Sequence, residues 1–150
     1  MNVITKRFAM SVFAALVLSS AFLGRPGPAA AATEASVNGC TVTPASPYLA
    51  WVDGVKYAYA NVYVYCWVSR TGIVNAQIME DDGVSDDAVS GLGSASFSIF
   101  AGQTRKVLTI RGRCSNFDFG SAEELYNKAR INIGGLNSAW ANTSNVSTTC

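Results

Sequence analysis

The chain has 150 residues, with 11 basic and 10 acidic residues and no histidine. Without histidine, Ser–His and Cys–His catalysis and histidine-ligated zinc are excluded. Beyond residue 32 there are eight basic and ten acidic residues. A net charge of about −2 argues against nucleic acid or an anionic membrane as the main partner.

Residues 1–32 are predicted to be a secretory leader. Two basic residues precede an uncharged run from Phe8 to Gly24, and Ala30-Ala31-Ala32 supplies the small residues that a signal peptidase needs. The alternative is a retained membrane anchor, but the apolar run is shorter than the roughly 20 residues that span a bilayer. We therefore expect cleavage after Ala32, which leaves residues 33–150 as one secreted, extracellular domain with no membrane contact.

All four cysteines follow the leader, at Cys40, Cys66, Cys114 and Cys150. An even number of cysteines in a small exported chain predicts a disulfide framework, and four cysteines allow three pairings. We favour the sequential arrangement, Cys40–Cys66 and Cys114–Cys150, because each pair can then join neighbouring strand ends. On the chain-entropy model each bridge contributes about 3–4 kcal/mol of stability.

The first predicted strands surround a tight turn. An opening strand is expected around Ser36–Val42, followed by a hairpin with Asp53-Gly54 at its turn. Tyr57–Val68 alternates strictly, with Ala, Val and Cys on one parity and mainly Tyr on the other. This period of two predicts a strand and not a helix.

The same alternation continues to the end of the chain. It predicts strands at Ile73–Glu80, Ala95–Phe100, Lys106–Cys114, Tyr126–Ile133 and Asn145–Cys150. Ser121–Asn127 is helix-like in composition, and we interpret it as a turn that leads into a strand. About seven or eight strands joined by Gly- and Asp-containing turns indicate an all-β fold, an antiparallel β-sandwich with two disulfides.

The last quarter of the chain carries a resemblance. The segment Glu124–Gly135, followed by Ser138 and Ser144, resembles the last two strands of fibronectin type III and immunoglobulin-like domains. The resemblance implies that Tyr126 is a corner tyrosine. A leader followed by a four-cysteine β-domain also resembles small secreted proteins of actinobacteria, many of them of unknown function.

One parity of the Tyr57–Val68 strand forms a candidate binding face. It consists of Tyr57, Tyr59, Tyr63, Tyr65 and Trp67, interrupted by Asn61. Tyr and Trp provide contact area and hydrogen bonds at low entropic cost, which suits a protein surface or a glycan. The alternative is that this row packs inside the sandwich, since parity alone does not say which face is exposed.

Charged residues form two clusters. The acidic cluster consists of Glu80, Asp81, Asp82, Asp86 and Asp87. It is a candidate calcium site, because a hard cation relieves the repulsion among crowded carboxylates. The loop lacks the residue spacing of an EF-hand. The alternative is a solvated loop without a metal. The basic cluster is interpreted as a solubilising edge that pairs with the acidic loop; its residues are Arg105, Lys106, Arg111 and Arg113.

The sequence predicts no enzyme and no cofactor other than the calcium considered above. The remaining catalytic option is a small hydrolase that uses two carboxylates drawn from Asp118, Glu123 and Glu124. We expect instead a non-catalytic binding or interaction module for an extracellular protein or glycan. The alternative is a structural or cell-surface protein without a specific ligand, and exposure of the tyrosines would distinguish the two classes.

We expect thiol titration of the denatured, non-reduced protein to detect no free thiol, because all four cysteines are paired. Reduction should lower the melting temperature sharply, since both loops then regain their freedom in the unfolded chain. More than one titratable thiol, or a melting temperature unchanged by reduction, would contradict the predicted framework.

Overall fold

The computed structural model describes residues 33–83, 85–115 and 122–150, so the predicted leader lies outside the described residues. No helix occurs in these ranges, and none of them therefore offers a helical membrane span. They form twelve strands: β1 (Ala35–Val37), β2 (Cys40–Pro44), β3 (Tyr48–Val52), β4 (Val55–Cys66), β5 (Arg70–Asp81), β6 (Asp86–Ala88), β7 (Gly93–Ile99), β8 (Gln103–Arg113), β9 (Glu123–Ile133), β10 (Leu136–Asn137), β11 (Ala141–Asn142) and β12 (Val146–Thr148).

The strands form two antiparallel sheets, which confirms the predicted all-β sandwich. In the five-stranded sheet, β4 lies at the centre, with β8 along one edge and β2 and β3 end to end along the other. β1 pairs with the outer side of β2. Within the described residues there are more strands than the seven or eight expected, because several edge strands have only two or three residues.

The seven-stranded sheet is built around the pair β5–β9. The outer edge of β5 carries β6 and β7, and the outer edge of β9 carries β10, β11 and β12. Each sheet therefore has long central strands; most of its edges are divided into shorter pieces, whereas β8 is one continuous edge strand of eleven residues.

A core of small and branched apolar side chains fills the space between the sheets. On β4 the parity that contains Ala58, Ala60, Val62 and Val64 is fully buried. On the facing sheet Val74, Ala76, Ile78, Ala129 and Ile131 are also fully buried. The alternation of β4 thus directs its small residues inward and its tyrosines outward.

Two hairpins at the start of the domain use the same turn chemistry. Asp53 and Gly54 have φ angles of 50° and 75°, which are the left-handed values that a two-residue hairpin turn requires. Asn38 and Gly39, at 45° and 88°, form an equivalent turn between β1 and β2. The prediction of one opening strand over Ser36–Val42 is therefore wrong, because this turn divides it into two strands.

Both predicted disulfides are present. Cys40 and Cys66 are directly opposite each other in the register of β2 and β4. Cys114, just beyond β8, is bonded to Cys150 at the end of the chain. The first bridge joins the ends of paired strands, whereas the second joins the end of β8 in the five-stranded sheet to the segment after β12 of the seven-stranded sheet. Disulfides are consistent with an oxidising compartment, extracellular or periplasmic.

Hydroxyl groups bridge the breaks along the outer edge of β9. Between β10 and β11, the Ile131 N–H donates to Ser138 Oγ (3.1 Å), and the Ser138 N–H donates to the Ile131 carbonyl (2.8 Å). Between β11 and β12, Asn127 and Thr143 form the same two bonds, each 2.9 Å long. A side-chain hydroxyl thus replaces the missing strand carbonyl, and the buried backbone N–H stays paired.

The outer edge of β5 uses the same device. Between β6 and β7, the Ile78 N–H donates to Ser90 Oγ (2.9 Å), and the Ser90 N–H lies 3.3 Å from the Ile78 carbonyl.

A buried asparagine connects the two sheets. Asn127 Nδ2 donates to the carbonyls of Ala45 (3.0 Å) and Asn61 (3.2 Å), at the break between β2 and β3. Because Asn127 lies on β9 and Asn61 on β4, these bonds fix the position of one sheet against the other.

The immunoglobulin or fibronectin type III resemblance is not confirmed. The corner role that it implied for Tyr126 is wrong, since this hydroxyl donates to Asp86 Oδ2 and not to a nearby backbone carbonyl. The segment Ser121–Asn127, helix-like in composition, is extended from Glu123 onwards, where β9 begins. Ser121 lies outside the described residues.

Gly112 gives a test of how closely the sheets approach. A Cβ atom at this position would lie 2.1 Å from the Val89 carbonyl oxygen and 2.9 Å from the Ser90 nitrogen. Both are backbone atoms, which cannot move away as a flexible side chain could. We therefore expect Gly112→Ala to lower the free energy of unfolding by about 1–3 kcal/mol or more. Chemical denaturation measures this change.

Gly91→Ala is the matched control, because no atom lies within 4 Å of the Cβ that it would add. We expect this variant to change stability by less than about 0.5 kcal/mol. Equal effects of the two substitutions would contradict the close approach of the sheets at Gly112.

Candidate functional site

The outward side of the five-stranded sheet is the candidate functional site. We call it the tyrosine face and define it as Tyr48, Tyr57, Tyr59, Tyr63, Tyr65 and Trp67. The predicted row on β4 points away from the core, because the opposite parity is fully buried. Tyr48, which is not part of the predicted row, joins it from β3, where it pairs with Tyr59.

The tyrosine face is accessible but not uniform. Tyr63 and Tyr65 are 36% and 39% exposed, and Trp67 is 52% exposed. Tyr57 and Tyr59 are half-buried. Among the tyrosines of β4 itself, those nearest Trp67 are therefore the more open, while Tyr48 on β3 is also exposed at the other end of the face.

The half-buried tyrosines are held by aromatic contacts. The rings of Tyr48 and Tyr59 are stacked, with centroids 5.6 Å apart and planes 18° apart. Tyr57 lies 6.4 Å from Tyr59 in a tilted arrangement. Such contacts restrict ring motion before any ligand arrives, which lowers the entropic cost of binding.

Basic side chains on β8 run alongside the tyrosines. In the register of the pair β4–β8, Arg113 is opposite Tyr57 and Arg111 is opposite Tyr59. The Arg111 guanidinium also lies over the Tyr57 ring, 5.3 Å from its centroid. Directly opposite residues share a sheet face, so these exposed cations belong to the same surface as the tyrosines.

A β-bulge between Val62 and Tyr63 keeps a third cation on this surface. It shifts the register by one residue, so that Lys106 and not Val107 is opposite Tyr63. Arg105 is directed elsewhere, since its Nη1 is 3.4 Å from the carbonyl of Ser98 on β7.

Hydroxyl groups lie on the other side of the open tyrosines. Thr43 and Thr41 on β2 are opposite Tyr63 and Tyr65. These threonines and tyrosines contribute to a shallow depression of about 410 Å³. It is lined by Glu34, Thr41, Thr43, Tyr63, Tyr65 and Thr104. Thr43 Oγ1 donates to Glu34 Oε1 at 3.0 Å, so the depression offers both donors and acceptors.

Charge is divided unequally between the sheets. The five strands of the five-stranded sheet contain five basic residues and no Asp or Glu. Carboxylates occur instead on β5, β6 and β9 of the other sheet. The expected pairing between the basic cluster and the acidic loop is therefore not supported, because the two lie on different sheets.

The candidate calcium ligands are directed to different partners. Asp81 Oδ1 accepts a hydrogen bond from the Gly83 N–H (2.9 Å), and Asp81 Oδ2 accepts one from Asn145 Nδ2 (2.6 Å). The bond from Asn145, followed by that from Gly83, lowers the pKa of Asp81. Glu80 is buried, whereas Asp87 is exposed.

Asp82 is half-buried just beyond β5, and Asp86 on β6 accepts the Tyr126 hydroxyl at 2.5 Å. In the described part of the chain no three His, Cys, Asp or Glu side chains come together in a way that could hold a metal. The calcium hypothesis thus receives no support from the structure.

The three residues considered for carboxylate catalysis do not form a site in the described ranges. Glu123 and Glu124 are consecutive on β9 and point to opposite faces, with Glu123 buried and Glu124 exposed. Asp118 lies outside the described residues.

Comparisons with known proteins add little to this geometry. No protein family and no curated protein matches the chain. Among solved structures, the solution structure of R. palustris CsgH is similar to it with a TM-score of 0.40 and 14% sequence identity, over 69% of this chain and 91% of that one. The fold and the tyrosine face therefore define the class, a disulfide-bonded β-sandwich with one aromatic sheet face.

Tyr126 gives a prediction of pH dependence. Burial, together with the hydrogen bond and charge of Asp86 and the charge of Asp81, raises the pKa of Tyr126. An unfolded tyrosine loses its proton near pH ~10, so above this pH the native state retains a proton that the unfolded state has lost. Stability should therefore fall as the pH rises beyond about 10.

We expect Tyr126→Phe to reduce this alkaline loss of stability, because phenylalanine has no proton to lose. Melting temperatures measured between about pH 8 and 11 for both proteins test this expectation. A decline that is equally steep in the variant would contradict a role of Tyr126 in the alkaline transition.

Proposed function

We propose that the protein is a secreted, non-catalytic binding module whose tyrosine face contacts an extracellular protein or glycan. The observation that carries this proposal is the outward orientation of the aromatic row of β4, which leaves Tyr63, Tyr65 and Trp67 exposed on one surface. Exposed aromatic patches with flanking arginines have the composition of binding surfaces.

The form of the rest of the molecule supports a binding role. The tyrosine face is broad and open, and the depression beside it is shallow, so it suits contact with an extended surface. Two disulfides and the inter-sheet bonds of Asn127 give this face a rigid base. A rigid base lowers the free-energy cost of ordering a binding surface.

A panel of extracellular proteins and glycans tests the proposal. We expect at least one member to bind the protein, and the double variant Tyr63→Ser/Tyr65→Ser to lose that binding, because it removes the two exposed tyrosine rings of β4. Surface plasmon resonance measures the affinity, and thermal melting verifies that the variant remains folded.

Leu136→Ser is the matched control, since Leu136 is an exposed apolar residue on the other sheet. This variant should retain full binding. The absence of any binder in the panel, or a binder that the tyrosine variant retains, would contradict the proposal and favour a structural protein without a specific ligand.

A further inference from the structure

Three chemically different strips run side by side along β4. Tyrosines occupy β4 itself, the basic residues Lys106, Arg111 and Arg113 line the β8 side, and the hydroxyls of Thr41 and Thr43 line the β2 side. We propose that this surface binds a polysaccharide bearing carboxylate groups, with sugar rings on the tyrosines and carboxylates on the arginines. The proposal rests on the proposed function, because it names the ligand class of the same face.

The tyrosines provide the platform for sugar rings. The C–H face of a sugar ring is flat and apolar, and it can pack on an aromatic ring of similar size. From Tyr57 to Tyr65 the strand extends about 26 Å at 3.3 Å per residue. A linear chain of several sugar rings could therefore follow the direction of the strand.

The arginines provide the preference for acidic sugars. Arg111 and Arg113 stand on the same face of β8, and a guanidinium can bind a carboxylate through two parallel hydrogen bonds. No carboxylate occurs on the five strands of this sheet, so their cations face no acidic residue of their own strands. This local excess of positive charge is complementary to a polyanion.

The hydroxyl strip distinguishes a sugar from other polyanions. Five of the six residues around the depression carry a hydroxyl group, and the sixth, Glu34, is a hydrogen-bond acceptor. Sugar hydroxyls both donate and accept, so they can pair with this lining. A nucleic acid or an acidic peptide would use the cations but would offer fewer hydroxyl groups to pair with this lining.

Polygalacturonate, a linear polymer of uronic acid, is the probe. We expect the full secreted protein to bind it more tightly than neutral dextran, and to bind it less tightly as the salt concentration rises. Arg111→Gln/Arg113→Gln should weaken the affinity by about tenfold or more, because two charge-assisted contacts are lost. Isothermal titration calorimetry measures these affinities.

Lys128→Gln/Arg130→Gln is the matched control. It removes the same number of charges from the outer surface of the other sheet, where both cations lie over the Trp140 ring. We expect this variant to bind polygalacturonate as the unaltered protein does. A loss of equal size in both double variants would show a non-specific charge effect and would overturn the proposal.

Two competitors decide between ligand classes. Oligo-thymidylate carries negative charge on a backbone that has no uronic acid rings, and polyglutamate carries negative charge without any rings. We expect both to bind more weakly than polygalacturonate. Tighter binding of either would overturn the assignment to a polysaccharide.

The outcomes also separate this proposal from the proposed function. Absence of polygalacturonate binding, with some other ligand still lost in Tyr63→Ser/Tyr65→Ser, would reject the acidic polysaccharide and leave the binding module intact. Polygalacturonate binding that survives the tyrosine substitutions would reject the tyrosine face itself.

Discussion

The narrow space between the sheets determines how the rest of the structure is arranged. Where the sheets face each other, the fully buried residues include Ala58 and Ala60 on one sheet and Ala76 and Ala129 on the other. Cores are close-packed, so an aromatic ring in place of one of these alanines would displace its neighbours; among the described residues of the core cluster only Phe97 on β7 is aromatic. The tyrosines of β4 are consequently confined to the outer side, and an aromatic surface follows directly from a core of small side chains.

The distribution of charge over the two sheets indicates more about possible partners than the net charge of the chain does. A net charge of about −2 suggests no anionic partner when it is averaged over the chain. In three dimensions the strands of the five-stranded sheet carry only basic residues, such as Arg111 and Arg113 on β8, whereas those of the other sheet carry residues of both signs, including Asp86 and Asp87 on β6. An average over composition conceals this difference, since it depends on which strands share a sheet.

Local patterns predicted much of the fold but not the orientation of its faces. The alternation of β4 and the Asp53-Gly54 turn are local signals, and both appear in the structure as expected. The Asn38-Gly39 turn carries the same signal, but it lies inside an alternating segment that predicts a single strand. Which parity of β4 is buried depends on the facing sheet, so no local pattern could decide it. The hydroxyl pair of Ser138 with Ile131 also depends on tertiary structure, because an isolated serine has no distinctive pattern.

The hydroxyl pairs have a consequence for the behaviour of the protein in a concentrated environment. A long, regular edge strand can recruit a strand from another molecule and so initiate aggregation. On β9 and β5 the neighbouring edges are short strands interrupted at Ser138, Thr143 and Ser90, where the chain leaves the sheet. Except along the seven residues of β7, an incoming strand would find only two or three residues of continuous backbone ladder along these edges. The interruptions thus keep the N–H groups of Ile78, Asn127 and Ile131 paired while they oppose self-assembly along these edges.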